Sequence, residues 1–172
     1  MKRSVVFVAI GIAAAACGSS SPTSPSPTGP ITFTVQMSAA NEVPPITNSE
    51  SGGRGTATIT LNVARDSTGT VTGGGTVSFS VQLTGFPPGS VVVRAHIHPG
   101  AAGVNGSPLV DTGLSPGAPI VMGDGTGTLT LTNIPISGAD AQAIVANPAG
   151  FYFNVHTPVN PGGAARGQLV RQ

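Results

Sequence analysis

The chain has 172 residues, with 25 Gly and 16 Pro but only 4% aromatic and 8% charged residues. Long helices and coiled coils need far more Glu, Lys, Leu and Ala, collagen needs Gly at every third position, and a highly charged disordered chain does not carry 39% hydrophobic residues. The formal net charge is +1 and no basic patch or basic–aromatic interleaving is present, which excludes nucleic acid as a partner.

Residues 1–16 read as a signal peptide. Lys2 and Arg3 form the positive start, 5–12 the apolar run, and 13–16 the small-residue cleavage site. The apolar run is shorter than the roughly 20 residues of a spanning helix. Residues 17–30, CGSSSPTSPSPTGP, hold nothing that could build a core, and their prolines favour extended chain, so they read as a disordered tether. Without Lys2 and Arg3 the charge is −1, five Arg against six acids. Cys17 is the one cysteine, so no internal disulfide forms, and the domain over 31–172 relies on burial and strand pairing.

Alternating β-branched and apolar residues predict strands at 31–39 (ITFTVQMSA), 54–64 (RGTATITLNVA) and 76–84 (TVSFSVQLT). The segment 41–53 reads as a loop, and the Gly-rich segment 65–75 as a hairpin connection. Pro87-Pro88-Gly89 turns the chain into a strand at 91–98 (VVVRAHIH). A long Gly/Pro connection over 99–117 holds a short strand at 109–111, and two strands at 118–122 and 125–132 flank an Asp124-Gly125 turn. Ser137 is placed to cap a short helix over 138–146, and strands at 151–157 and 166–171 close the domain. Seven to nine strands with turns between them predict an all-β fold, a Greek-key β-sandwich or barrel of about eight strands.

The chemistry gathers on three histidines. His96 and His98 form His-x-His on a strand, so both rings point to one face with Cα atoms about 6.5–7 Å apart. Ile97 points the other way, into the core. Phe151, Phe153 and Val155 share the core face of their strand, which leaves His156 facing outward. Neutral imidazoles suit copper, zinc, nickel or iron. Arg166 opens the last strand after a Gly-rich loop. It is read either as an anion-guiding side chain at the site or as a structural Arg bonding loop carbonyls or a carboxylate such as Glu42. No Gly-x-Ser-x-Gly elbow, domain thiol or spaced acid pair is present, and no residue is assigned a catalytic role.

Ala14-Ala15-Ala16-Cys17 resembles the lipobox of bacterial lipoproteins. The resemblance implies acylation of Cys17, membrane lipid as a partner, and an extracytoplasmic place in the bacterial envelope, on the outer membrane or cell surface. Three further blocks, Asn41-Glu42-Val43-Pro44-Pro45, Ala95-His96-Ile97-His98 and Phe153-Asn154-Val155-His156-Thr157 with Ala165-Arg166-Gly167-Gln168-Leu169, resemble the CHRD domain over 33–170. That family implies a secreted or surface β-domain without a settled activity.

The runs Gly55–Ile59, Val81–Gly89 and Ala95–His98 are also similar to the first half of copper–zinc superoxide dismutase. This distant resemblance implies a Greek-key barrel, copper ligation by His96, His98 and His156, and anion guidance by Arg166. The bridging histidine, the zinc cluster and the disulfide of that enzyme have no counterparts here. Together these readings describe a lipid-anchored domain that binds one transition metal, copper ahead of zinc, without fast turnover. The first rival is a non-enzymatic module that binds an envelope protein or glycan and keeps its histidines structural. The second is a superoxide dismutase-like redox enzyme.

Overall fold

A computed structural model describes residues 29–172; the expected signal peptide over 1–16, Cys17 and the tether up to 28 lie outside the described residues. Alternating Thr, Val and Ile make long antiparallel partners of β1 (Ile31–Ser38), β2 (Arg54–Arg65) and β3 (Val71–Thr84). Phe33 opposes Ile59, and Ile59 opposes Phe79, so one apolar face runs unbroken across all three strands.

The chain continues through β4 (Ser90–Val92), β5 (Arg94–Pro99), β6 (Val110–Asp111), β7 (Ile120–Met122) and β8 (Gly127–Ile136). The helix α1 (Gly138–Ala146), β9 (Phe151–His156), β10 (Ala165–Gln168) and β11 (Val170–Arg171) complete it. Eight strands form one path in the order β6-β5-β9-β10-β1-β2-β3-β8, with β11 also paired to β1, while β4 and β7 pair as a separate ribbon. β4 runs into β5 through Val93, and β7 runs into β8 through the turn at 123–126, so the ribbon bridges the two ends of the sheet. The result is a nearly closed antiparallel barrel in which the connections from β3 to β5 and from β8 to β9 are Greek-key crossovers.

The core fills the barrel. Phe79 of β3 and Phe153 of β9 stack across it with ring centroids 5.5 Å apart, both at most 1% exposed. Phe153 sits between Tyr152 and Asn154 on the strand that ends at His156, so packing inside the barrel fixes the height of the groups outside it. Phe153→Ala is expected to lower the unfolding free energy by about 3–5 kcal/mol, the cost of a large aromatic cavity, read as a drop in the urea midpoint at unchanged slope.

Several local expectations are corrected. The segment 91–98 is not one strand. Three consecutive valines carry no break signal, yet β4 pairs with β7 and β5 pairs with β9, the chain changing partners at Val93, whose N–H donates to the His156 carbonyl at 2.9 Å. The connection after β2 is confined to 66–70, and Gly73, Gly74 and Gly75 lie inside β3. There a side chain would collide: a Cβ on Gly74 would come within 2.6 Å of the Ile136 carbonyl oxygen. β8 runs on to Ile136, past the expected end at 132, and the last segment breaks at Leu169 into β10 and β11. The helix falls where Ser137 places it, the Ser137 hydroxyl accepting from the Asp140 N–H at 3.1 Å.

Candidate metal centre

β5, β9 and β10 lie side by side, and their alternation sorts residues onto two faces. Ala95, Ile97, Phe151, Phe153, Val155 and Ala165 enter the core. The other face carries His96 opposite Asn154, which is opposite Arg166; His98 opposite Tyr152, which is opposite Gln168; and Arg94 opposite His156. The histidines point away from the core, as their spacing indicates, and loops cover the face they occupy. His96, His98 and His156 are 6%, 4% and 6% exposed. Loops 41–53, 100–109 and 157–164 supply partners to this polar layer, and every residue of β9 is buried.

The three rings lie together, and one nitrogen from each falls within 4.8 Å of the others. His96 Nδ1 is 3.0 Å from His156 Nε2, although 60 residues separate them in sequence. His98 Nδ1 lies 2.9 Å from the Gly106 carbonyl oxygen and His156 Nδ1 lies 3.0 Å from that of Pro161. A carbonyl only accepts, so both Nδ1 atoms carry the proton and both Nε2 atoms keep a lone pair. His156 Nε2 thus accepts from His96 Nδ1, while His98 Nε2 is buried without a hydrogen-bond partner. The other nitrogen of His96, Nε2, is 3.8 Å from Asp111 Oδ2.

Burial, ahead of the neighbouring cations, holds all three imidazoles below the usual histidine range, His156 down to about 4. They are therefore neutral at pH 7, the state in which imidazole ligates. Metal–imidazole bonds of about 2.0–2.1 Å set ligand nitrogens roughly 3.3–3.6 Å apart. The 3.0 Å pair brackets that spacing from below and the 4.8 Å limit from above, so small ring movements bring all three to it. The donor set fits a borderline transition metal such as copper or zinc.

Arg166 is 1% exposed and lies on the same face as the histidines, with Tyr152 between it and His98. Tyr152 stacks on His98 with centroids 4.8 Å apart and planes 3° from parallel, and the Arg166 guanidinium carbon lies 4.5 Å from the Tyr152 ring centroid. Arg166 Nε donates to the Asn41 carbonyl at 2.7 Å, Nη1 donates to Asn105 Oδ1 at 2.7 Å, and Nε is 3.9 Å from Glu42 Oε2. Burial pushes the Glu42 carboxyl up to about 7 against the lowering effect of Arg166. Cys17 lies outside the described residues.

Sequence reasoning missed Tyr152, Asn154, Asp111, Glu50, Thr157 and Asn160 in this layer. Tyr152 and Asn154 were accessible, because they alternate in phase with His156. Glu50 was not: it is a loop acid 107 residues from its partner Thr157.

The model of the CHRD domain matches residues 33–169. The chain belongs to the CHRD-domain family. No curated protein matches it. The three histidines and Arg166 all lie within the matched span of this CHRD domain, and among its described residues no helix is long and apolar enough to cross a membrane.

Proposed function

We propose that this CHRD domain is an extracytoplasmic copper-binding module that captures and holds one ion through His96 Nδ1, His98 Nε2 and His156 Nε2, and that acylated Cys17 anchors it to the bacterial envelope. The observation that carries the metal reading is His98 Nε2: a buried lone pair without a protein partner, beside two other imidazoles. An unpaired buried acceptor costs about 1–3 kcal/mol, and a coordinated cation removes that cost. The anchor rests on the sequence at 14–17 alone.

Metal capture asks one rearrangement of the protein. His96 shifts its proton from Nδ1 to Nε2, where Asp111 Oδ2 at 3.8 Å faces it and holds the ring in that tautomer while Nδ1 ligates. The other two rings keep their protons on Gly106 and Pro161. Copper is the preferred ion because it tops the affinity order of divalent first-row metals for nitrogen ligands, and zinc is the competitor.

Tyr152 makes the binding visible. It is the one tyrosine of a chain that has no tryptophan, and it stacks directly on a ligand ring. Copper(II) is expected to quench its fluorescence to a plateau at one equivalent, because an open-shell ion in contact with the stack opens a non-radiative route. Closed-shell zinc, having no redox chemistry, is expected to leave most of the emission while competing for the site. Unchanged emission on copper addition to the folded protein would count against the site.

A further inference from the structure

We propose that Glu50 is a positioning residue for His156: it anchors the loop 157–164, whose Pro161 carbonyl decides which ring nitrogen of His156 carries the proton. The inference deepens the copper-binding reading, and only its effect on affinity rests on that reading.

Glu50 lies in the 41–53 loop and is 1% exposed. Its Oε2 accepts from Thr157 Oγ1 at 2.6 Å and from Asn160 Nδ2 at 2.6 Å. Those two residues are themselves tied, the Asn160 N–H donating to Thr157 Oγ1 at 2.9 Å and the Gly163 N–H to the Asn160 carbonyl at 3.1 Å. Asn48 completes the clamp, donating from Nδ2 to Asn160 Oδ1 at 2.9 Å, while its own Oδ1 accepts from the Glu50 N–H at 3.0 Å.

Pro161 follows Asn160 and has no N–H with which to fix itself. Its carbonyl therefore stands where the Glu50 clamp puts Asn160, and there it takes the His156 Nδ1 proton at 3.0 Å. That bond leaves the lone pair on Nε2, pointing at His96. With the carbonyl displaced, the ring divides between two tautomers, and the one protonated at Nε2 presents no lone pair to the centre. Arg166 holds the opposite loop in the same manner, donating to Asn105 Oδ1 at 2.7 Å next to the Gly106 carbonyl that fixes His98.

The test is the imidazole nitrogen NMR spectrum of the metal-free protein, followed by copper titration of the same samples. In wild type His156 shows the Nδ1–H tautomer. Glu50→Ala is expected to mix the tautomers and weaken copper binding by about 10- to 100-fold, the range for outer-shell partners of metal-bound histidines. Glu50→Gln is expected to restore both, because the two bonds converge on one oxygen that the amide carbonyl can replace. Should Glu50→Ala fail to fold, Thr157→Val, which removes the hydroxyl from the same clamp, gives the same readout. A folded Glu50→Ala or Thr157→Val protein with an unchanged His156 tautomer would overturn the inference. Failure of wild type to bind copper would instead defeat the metal reading and leave the tautomer result standing.

Discussion

His156→Ala is expected to weaken copper binding by more than about 100-fold, beyond the effect of removing an outer-shell partner. His156 Nε2 stands 3.0 Å from His96 Nδ1, and the two rings come from strands adjacent in the sheet but 60 residues apart in the chain. Losing either leaves His98 and one other imidazole, too few for a three-nitrogen site. The metal-linked rise in melting temperature should vanish with the affinity. At free copper 100 times the dissociation constant, that linkage is worth about 2.7 kcal/mol, or roughly 5–10 °C for a domain of this size. Isothermal titration with thermal unfolding of the same sample reads both quantities. His156→Ala binding as tightly as wild type would show that the ion sits elsewhere.

The second large effect is in the pH dependence of the metal-free protein, where two buried groups act in opposite directions. His156 falls from its ordinary 6.5 to about 4. Its contribution to stability is complete above pH 6.5 and is lost as the pH falls toward 4, because the unfolded chain then takes up the proton first. Glu42 rises from 4.5 to about 7. Its contribution is complete below pH 4.5 and is lost as the pH rises through 7, because the unfolded chain releases the proton first.

Each shift corresponds to a free energy on the order of 3 kcal/mol, so in wild type the two largely cancel between pH 4.5 and 6.5. Glu42→Gln removes one of them. In that window the folded protein holds the Glu42 carboxyl protonated, and the neutral amide of Gln stands in for it, so the slope now reports the histidines. Urea unfolding of the chelator-treated variant should show stability climbing more steeply with pH than in wild type. Parallel curves for the two proteins would refute the assignment of Glu42 as the opposing group.

Much of the fold was legible because its signals are local. Period-two alternation placed β1, β2 and β9 within a residue or two of their observed ends, and Ser137 marked the helix. The misread places are those where tertiary contacts outweigh local preference. Val91, Val92 and Val93 read as continuous strand, but the partner changes beneath them. The glycines at 73–75 read as a turn, but they serve close approach inside β3.

The site divides in the same way. His-x-His on a strand fixes the relative placement of two rings, and the alternation of Phe151, Phe153 and Val155 puts His156 on the noncore face. Convergence with His156 depends on β5 and β9 pairing in a register that sets His96 beside Asn154, a nonlocal fact. The burial of the site is not written in this alternation, because a face that alternates away from a core normally meets water. Here loops anchored by Glu50 and Arg166 cover it, and their hydrogen bonds span more than a hundred residues in the cases of Thr157 and Asn41.

The most direct test of the central reading is X-ray absorption at the copper edge on protein loaded and then desalted, with metal content measured on the same sample. The reading requires one copper per chain with three imidazole nitrogens at about 2.0 Å, and loss of imidazole scattering in His98→Ala. Protein that retains no copper, or copper whose imidazole scattering is unchanged in His98→Ala, would contradict it.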